Sequence, residues 1–299
     1  MRGFILLALA GFGAQLVDGS LGMAYGVSST TLLLAVGLAP ALASAAVHIA
    51  EVGTTAVSGI SHASFGNVEW SRILWMAIPG GVGAFVGACL LVYASTAEAT
   101  AGLVEPVVAI FLFSLGIYIL SRFAFRKNER PVKVRPVSRK FLGPLGLVAG
   151  FLDAMGGGGW GPIATPTLLS SGRMEPRKII GTVDTSEFVV ALCASLGFLF
   201  SLSIAEVPWT VVGALLAGGL FAAPIAAYIV KVLPTRILGT AVGGVILLTN
   251  MRTFLSTFGV EGAAAGVAYF VIVGVWVSAM AFSFAAIRRD RMVGEGQPA

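Results

Sequence analysis

Long apolar segments that carry almost no charge are the feature that most restricts how this sequence can fold. Only 11% of its 299 residues are charged and its mean hydropathy is +0.93, whereas a soluble domain carries about 25% charged residues. A chain of this composition cannot cover its surface for water, and a helix of about 20 apolar residues spans a bilayer. The sequence therefore predicts an all-α, multi-pass integral membrane protein.

The basic residues lie in a few loops, although the formal net charge is +5. In a membrane protein such loops are topology signals, so we expect the lipid bilayer as the surroundings and no nucleic acid as a partner. The two cysteines, Cys89 and Cys193, both lie in apolar stretches. This placement indicates plain packing, with neither a disulfide nor a metal site.

The sequence contains two copies of one unit, which becomes visible when residues 16–33 are aligned with residues 151–168. Four pairs match without a gap: Asp18 with Asp153, Gly22 with Gly157, Gly26 with Gly161, and Thr30 with Thr165. After one inserted residue, three further pairs match: Pro40 with Pro176, Val47 with Val183, and Glu51 with Glu187. A duplicated unit of roughly 110 residues indicates a repeat architecture.

Each copy is predicted to open with a Gly-rich, poorly helical stretch that forms a re-entrant or broken hairpin, followed by three transmembrane helices. The openings are residues 1–37 and 141–172, and the helices are residues 41–62, 72–94 and 103–122, then 178–202, 208–231 and 236–256. A further helix at 262–286 has no counterpart. The resulting division is repeat 1 (1–122), a basic cytoplasmic linker (123–140), repeat 2 (141–257), and an extra transmembrane helix with a cytoplasmic tail (258–299).

The loop charges predict that the second copy is inverted, because loops rich in Lys and Arg face the cytoplasm. Residues 122–140 hold eight of the nineteen Lys and Arg residues and are placed inside. Three loops of the first copy differ in charge from the matching loops of the second. The loop at 37–40 has no charge, whereas its partner has Arg173, Arg177 and Lys178. The loop that ends at Arg72 has Glu206 in its partner, and the loop with Glu98 and Glu105 has Lys231 and Arg236 in its partner. Arg252 is the exception. Inverted repeats are a known transporter layout with a substrate site between the repeats, and some channels share it.

Five acidic residues fall inside the apolar segments: Asp18, Glu51, Asp153, Asp184 and Glu187. A charge at bilayer depth costs roughly 2.5–3.5 kcal/mol on insertion scales, so such residues usually face a cavity or a partner. His48 precedes Glu51 by three residues, as Asp184 precedes Glu187, which puts each pair on one helix face. We interpret these four as coupling or gating residues that bind protons, with capping of free backbone N–H groups as the alternative. Asp18 and Asp153 precede glycine turns and are interpreted as structural caps.

The Gly-rich turns predict the substrate site. Each glycine inside a helix costs about 1 kcal/mol relative to Ala, and the first N–H groups of a helix that restarts after a turn attract anions. Two facing turns would form a positively polarised pocket, with hydroxyl donors and an aromatic lining or gate. The candidate substrate-binding residues are Gly22, Tyr25, Gly26, Ser28, Ser29 and Thr30 in the first copy and Gly157, Gly158, Gly159, Trp160, Gly161 and Thr165 in the second. Tight helix crossing by small residues is the alternative.

Several common motifs are missing from the sequence. There is no GxxxxGK(S/T) loop, so ATP is not the direct driver, and no HExxH motif or Cys/His cluster suggests a metal site. No nucleophile–base or metal set supports an intramembrane enzyme, so no enzymatic activity is expected. His62, Asn67 and Trp70 are expected in a cytoplasmic loop.

Both copies have a Gly-rich turn, LVDGSLGMAYG and FLDAMGGGGWG, followed by Thr and Pro positions and a downstream Glu. With these features the sequence resembles the sulfite exporter TauE/SafE family of anion permeases over about residues 5–256. The resemblance implies transport of small sulfur-containing anions such as sulfite, sulfonates or sulfoacetate, a bacterial-type inner membrane, and no bound cofactor. The substrate region that it implies is Gly22, Tyr25 and Gly26 with Gly157, Trp160 and Gly161. The first copy departs from the glycine run, with Gly22-Met23-Ala24 opposite Gly157-Gly158-Gly159, so the anion is expected nearer the second copy.

The sequence thus predicts a secondary transporter that works by alternating access, exports these anions, holds them at broken-helix N-termini and uses protons for coupling. An anion channel or uniporter with the same pocket and no proton coupling is the alternative. The particular anion, the direction of flux, the coupling ion and assembly into a homo-oligomer are left open by the sequence.

Overall fold

The computed structural model describes residues 2–125, 137–171, 173–229 and 235–295, which form helices and short connections without a β-strand in those ranges. The prediction of an all-α protein is confirmed. The helices of the first half are α1 (Arg2–Leu21), α2 (Tyr25–Ala35), α3 (Pro40–Ser64), α4 (Trp70–Thr96) and α5 (Ala101–Ala124). Those of the second half are α6 (Arg139–Gly156), α7 (Trp160–Ser171), α8 (Pro176–Ser201), α9 (Trp209–Ile229) and α10 (Thr235–Thr257), and α11 (Gly262–Glu295) follows them.

Seven helices in the described ranges are long and apolar enough to cross a membrane: α1, α3, α4, α5, α8, α9 and α11. The chain is therefore a multi-pass membrane protein. The seven helices predicted after the hairpins all form, as α3–α5 and α8–α11. Two details differ from the prediction: α1 also has the length and composition of a span, and α10 contributes only the shorter apolar run Gly239–Leu248 among the residues described.

The Gly-rich openings are helical over most of their length, so the prediction of poorly helical stretches is wrong. Each opening is a helix, a three-residue break and a short second helix, with the breaks at 22–24 and 157–159. Gly22, Gly157 and Gly158 have φ angles of 66°, 68° and 154°, which glycine adopts readily because it has no Cβ. α2 and α7 have 11 and 12 residues, about 16–18 Å at 1.5 Å per residue. Neither short helix can span a bilayer alone.

Proline marks the start of the two long central helices. α3 begins at Pro40 and α8 at Pro176, each directly after a residue with extended backbone. Proline suits the first helical turn because its missing N–H would have no partner there. The matched prolines of the sequence repeat therefore begin matched helices, each immediately after a short half-helix.

The two halves exchange neighbours in the bundle. α1 packs along α9, and α6 packs along α4, so the first arm of each hairpin lies against a helix of the other half. A methyl group on Gly11 would lie 2.6 Å from the carbonyl oxygen of Leu215, and one on Gly150 would meet the carbonyl oxygen of Gly80. Small residues let these backbones approach closely, as in other helix pairs within membranes.

Helices that correspond between the halves run in opposite directions where they touch. α3 packs against α8 with His48 near Phe198 and Gly59 near Thr185, so the two helices are antiparallel. α5 and α10 pair in the same antiparallel way. Each of these pairs joins one helix from each half.

α11 is attached to the outside of this bundle. It contacts α10 and α5, and much of its apolar surface is open, with Phe270 79% exposed. In a membrane protein, such a face contacts lipid. Residues 126–136 of the predicted basic linker lie outside the described residues, as do Lys231 and the side chains of Glu105, Arg252 and Arg291.

Candidate functional site

The breaks of the two hairpins meet inside the bundle and touch through their backbones. A methyl group on Gly26 would lie 2.8 Å from the Cα of Gly158, and one on Gly161 would lie 2.5 Å from the Cα of Met23. In a close-packed interior such gaps have no room for a side chain. The glycines predicted to bind substrate therefore form the contact between the two halves, which we call the hairpin crossing.

Two threonines join the breaks through reciprocal hydrogen bonds. The Thr30 hydroxyl in α2 donates to the carbonyl oxygen of Gly157 at 2.5 Å, and the Thr165 hydroxyl in α7 donates to that of Gly22 at 2.5 Å. Both threonine side chains are fully buried. The hydroxyls expected as donors to an anion are therefore used between the halves in this conformation.

We expect Thr30→Val and Thr165→Val each to lower the free energy of unfolding by about 1–2 kcal/mol, because a buried carbonyl loses its donor while side-chain volume is kept. SDS titration in mixed micelles measures the change. Thr96→Val is the control, since the exposed Thr96 hydroxyl bonds only to carbonyls of its own helix. Equal losses in all three variants would contradict a joining role for the two buried threonines.

An aspartate lies beneath each break and accepts hydrogen bonds from the helix that restarts there. Asp153 Oδ1 accepts from the backbone N–H of Gly159 at 2.6 Å and from that of Trp160 at 2.9 Å. Asp18 Oδ1 makes one longer contact, 3.4 Å, with the N–H of Tyr25. Both carboxylates therefore stand where a helix N-terminus would otherwise bind an anion.

Three of the predicted residues, His48, Glu51 and Asp153, form one buried group that we call the His48 cluster. The side-chain atoms that they offer lie within 4.8 Å of one another. His48 Nε2 lies 3.1 Å from Asp153 Oδ2, and Nδ1 lies 2.8 Å from the carbonyl oxygen of Ser44. Since both partners are oxygen acceptors, both ring nitrogens donate, and the geometry fits an imidazolium–carboxylate pair.

The repeat-related residues Asp18, Asp184 and Glu187 form a second buried group that we call the Asp184 cluster. Their carboxylate oxygens lie within 4.8 Å of one another, and the exposed fractions of the three residues are 1%, 0% and 4%. Asp184 occupies the position that His48 has in the other cluster, so this group consists of three acids. The structure thus brings the six residues predicted for coupling and capping together as two groups of three.

The two aromatic residues expected to line or gate the pocket are buried inside the bundle. Trp160 is fully buried and its Nε1 donates to the carbonyl oxygen of Val183 at 3.1 Å. Tyr25 is 1% exposed and packs among apolar residues of α3 and α9. Ser29 is buried beside them and Ser28 is half-buried. In this conformation both rings anchor the starts of the short helices α2 and α7.

Sequence reasoning misses His62 and Asn67, which we expected in a loop. The structure places His62 in the last turn of α3, fully buried, with Nε2 3.0 Å from the carbonyl oxygen of Gly19. Asn67 is also buried, and its amide nitrogen lies 3.3 Å from Nδ1 of His62. The signal was the spacing: His62 follows His48 by 14 residues, about four helical turns, which places both on one face of α3. Trp70 is exposed at the start of α4.

The sequence matches one protein family over most of its length and is similar to a named transporter. A model of the family described as sulfite exporter TauE/SafE matches residues 7–253, a range that includes both breaks and both clusters. The chain is 47% identical over 294 residues to the probable membrane transporter protein YtnM of Bacillus subtilis (strain 168), and this match covers 98% of the chain and 96% of that protein. No solved structure matches the chain.

Proposed function

Since this chain belongs to the sulfite exporter TauE/SafE family, we propose that it is a secondary transporter that moves small sulfur-containing anions, such as sulfite, sulfonates or sulfoacetate, out of the cell. The family and the relative are described as an exporter and a probable transporter, which supports transport over enzymatic activity. In this proposal the protein lies in the cell inner membrane, works by alternating access, and binds the anion where α2 and α7 begin.

The buried hairpin crossing is the observation that carries the proposal. A helix N-terminus presents N–H groups and the positive end of a dipole, and both short helices begin at the crossing. In this conformation Asp18 and Asp153 accept from N–H groups at these helix starts, so an anion would take the place of a carboxylate there. The hydroxyls of Thr30 and Thr165 lie at the same place. An anion that displaced their reciprocal bonds would find donors from both halves of the chain at once.

The acids at the crossing imply that an anion binds together with positive charge. Glu51 Oε1 would lie only 3.3 Å from a methyl group on Gly26, beside the start of α2. Two like charges 4 Å apart repel each other by about 4 kcal/mol at an effective dielectric constant of 20. In this proposal, protons taken up by the four coupling residues remove that repulsion, and their release drives the anion off. These residues are His48, Glu51, Asp184 and Glu187.

Inversion of repeat 2 (141–257) relative to repeat 1 (1–122) would supply the two access states. Two features support it: the halves exchange neighbours in the bundle, and the corresponding pairs α3–α8 and α5–α10 are antiparallel. In the proposed cycle the halves rock about the hairpin crossing, so that the site opens first to one side of the membrane and then to the other.

The structure favours a carrier over a channel with the same pocket. The backbones of Gly26 and Gly158 touch at the hairpin crossing. In this proposal an anion passes only when the hairpins separate and meet again, which limits turnover to the rate of a conformational change.

Flux of sulfite and of a sulfonate into proteoliposomes, with and without a pH gradient, tests the proposed function. We expect saturable flux that rises with the gradient and is missing from protein-free vesicles. Flux that ignores the gradient and follows voltage would favour a uniporter or channel. Lack of flux for both anions would contradict the proposed substrate class.

We expect Glu51→Gln and Glu187→Gln each to reduce gradient-driven flux by about tenfold or more, a change of 1.4 kcal/mol. Glutamine keeps the shape of the side chain but cannot bind or release a proton. Glu261→Gln is the matched control, because Glu261 is exposed in the connection before α11. Unchanged pH-dependent flux in both cluster variants would show that these glutamates do not couple transport to protons.

A further inference from the structure

The two buried clusters differ in how their negative charge is balanced. In the His48 cluster the imidazole donates from both ring nitrogens, one of them to Asp153, so a positive charge belongs to the group. Beside the Asp184 cluster, His62 Nε2 lies 3.9 Å from the Asp184 carboxylate but donates to the carbonyl oxygen of Gly19 at 3.0 Å. Its Nδ1 lies 3.3 Å from the side-chain amide of Asn67. His62 Nε2 is therefore used by a backbone carbonyl, and the three acids have no hydrogen-bonded histidine like the one that pairs with Asp153.

Several buried oxygen atoms at the Asp184 cluster have no hydrogen-bond partner outside the group that they form with Ser58, among the described residues. They are Oδ2 of Asp18, both carboxylate oxygens of Asp184, Oε2 of Glu187 and Oγ of Ser58. The Ser58 side chain is fully buried, and its hydroxyl faces the Asp184 carboxylate. The fully buried Gln15 also lacks a partner for its carboxamide in the described ranges, and it lies with Ser58 against Gly19. Buried oxygens in this number are costly unless a ligand binds them.

The repeat-related positions around the His48 cluster are apolar. Ala194 corresponds to Ser58, Gly150 to Gln15, and Phe198 to His62. The Phe198 ring centroid lies 5.7 Å from that of His48, so it takes the place that His62 has beside Asp184. Glu51 in the His48 cluster also has carboxylate oxygens without a partner among the described residues, but that cluster has the His48–Asp153 pair beside them and no counterpart of Ser58 or Gln15.

We propose that Asp18, Asp184 and Glu187, completed by the Ser58 hydroxyl, form a site for Na⁺ that is occupied together with the substrate anion. The inference rests on the proposed transport function and adds Na⁺ to protons as a coupling ion, with Na⁺ in place of the protons at Asp184 and Glu187. All of the donors are oxygens, which hard cations prefer. Ligand atoms up to 4.8 Å apart suit an ion with oxygen distances of about 2.4 Å, whereas Mg²⁺ demands about 2.0–2.1 Å. Na⁺ is the hard cation of this size that secondary transporters use for coupling.

The site is connected to the hairpin crossing through Asp18. This residue contributes a carboxylate oxygen to the Asp184 cluster, and its Oδ1 contacts the first N–H of α2 at Tyr25. A bound cation would neutralise the carboxylate that stands at that helix N-terminus, which is where an anion binds. Na⁺ thus does for one cluster what the His48 imidazole does for the other.

Thermal unfolding of the purified full-length chain in detergent tests the site without transport. NaCl is titrated against choline chloride at constant ionic strength, because a ligand that binds only the folded state raises the Tm. We expect a saturable rise of the Tm with Na⁺ and none with choline. A Tm that is the same in both salts overturns the proposal, and a larger rise with CaCl₂ at lower concentration overturns the assignment to a monovalent ion.

Two variants replace a residue of the site with the residue at the corresponding position of the other half. Asp184→His is expected to abolish the Na⁺ response, since it supplies the positive charge that His48 supplies in the other cluster. Ser58→Ala, which copies Ala194, is expected to raise the Na⁺ concentration for the half-maximal Tm shift by about fivefold. Ser195→Ala is the matched control, because the Ser195 hydroxyl is buried but bonds within its own helix.

A Na⁺ response with the same half-maximal concentration in Asp184→His, Ser58→Ala and the wild type would place the ion elsewhere and overturn the proposal. Different results would contradict the proposed transport function and the Na⁺ site. Lack of sulfite flux with an intact, Asp184-dependent Na⁺ response would contradict the proposed function alone. Sulfite flux driven by pH with no Na⁺ response would contradict the Na⁺ site alone.

Discussion

The Gly158→Ala variant is expected to lose the hairpin crossing and, with it, sulfite flux. Gly158 has a φ of 154°, which residues with a Cβ rarely adopt, and the added methyl group would meet the backbone nitrogen of Val27. Neither backbone can move without separating the two breaks. We expect the free energy of unfolding to fall by about 2–5 kcal/mol and flux to fall to that of protein-free vesicles.

Gly13→Ala is the control for Gly158→Ala. Gly13 lies within α1 and has no atom within 4 Å of the position that a methyl group would take. Alanine there is expected to leave flux unchanged and to raise stability by up to about 1 kcal/mol through helix propensity. If Gly158→Ala matched the wild type in both SDS unfolding and flux, the backbone contact at the crossing would not be required.

Asp153→Asn is expected to be the most damaging of the isosteric changes at the acids. The amide oxygen can still accept from the N–H groups of Gly159 and Trp160, but the amide nitrogen then faces Nε2 of His48. Nε2 can accept from it only as the neutral imidazole, so the charged pair is lost. Breaking a buried pair in this way costs about 3–5 kcal/mol. SDS unfolding is expected to show that loss, together with loss of sulfite flux.

A double-mutant cycle separates the His48–Asp153 pair from general damage at either position. We expect the losses from His48→Asn and Asp153→Asn to be less than additive, with a coupling free energy of about 1.5–3 kcal/mol. Glu261→Gln, at an exposed position, is expected to change stability by less than about 0.5 kcal/mol. Additive losses at the two buried positions would contradict the proposed imidazolium–carboxylate pair.

Local signals in the sequence were sufficient to predict the long helices. Apolar runs of span length and prolines at Pro40 and Pro176 are visible in any single segment, and α3 and α8 begin at those prolines. Two pairs on one helix face were also predictable, His48 with Glu51 and Asp184 with Glu187, from their spacing. The sequence predicts Asp18 and Asp153 only as caps of the glycine turns, and does not indicate that each joins a cluster with residues of the other half.

Contacts between distant parts of the chain were not predictable in this way. The bond between Thr30 and Gly157 joins residues 127 apart in sequence, and no pattern within either turn indicates it. The breaks also contain fewer residues than the glycine content of the openings suggests. Asp153 caps α7, so that the helix restarts after three residues. The sequence predicts a loop at His62 because the apolar run ends there, whereas α3 continues to Ser64.

Exchange of labelled sulfite across proteoliposome membranes tests most directly whether this chain is a carrier for small sulfur-containing anions. Vesicles that hold unlabelled sulfite are compared with vesicles that hold none, because a carrier returns faster when it is loaded on both sides. We expect saturable uptake of label that is several-fold faster into the preloaded vesicles, and none with Gly158→Ala. Uptake by the wild type that is no faster into preloaded vesicles, or no uptake of sulfite at all, would contradict a sulfite carrier built around the hairpin crossing.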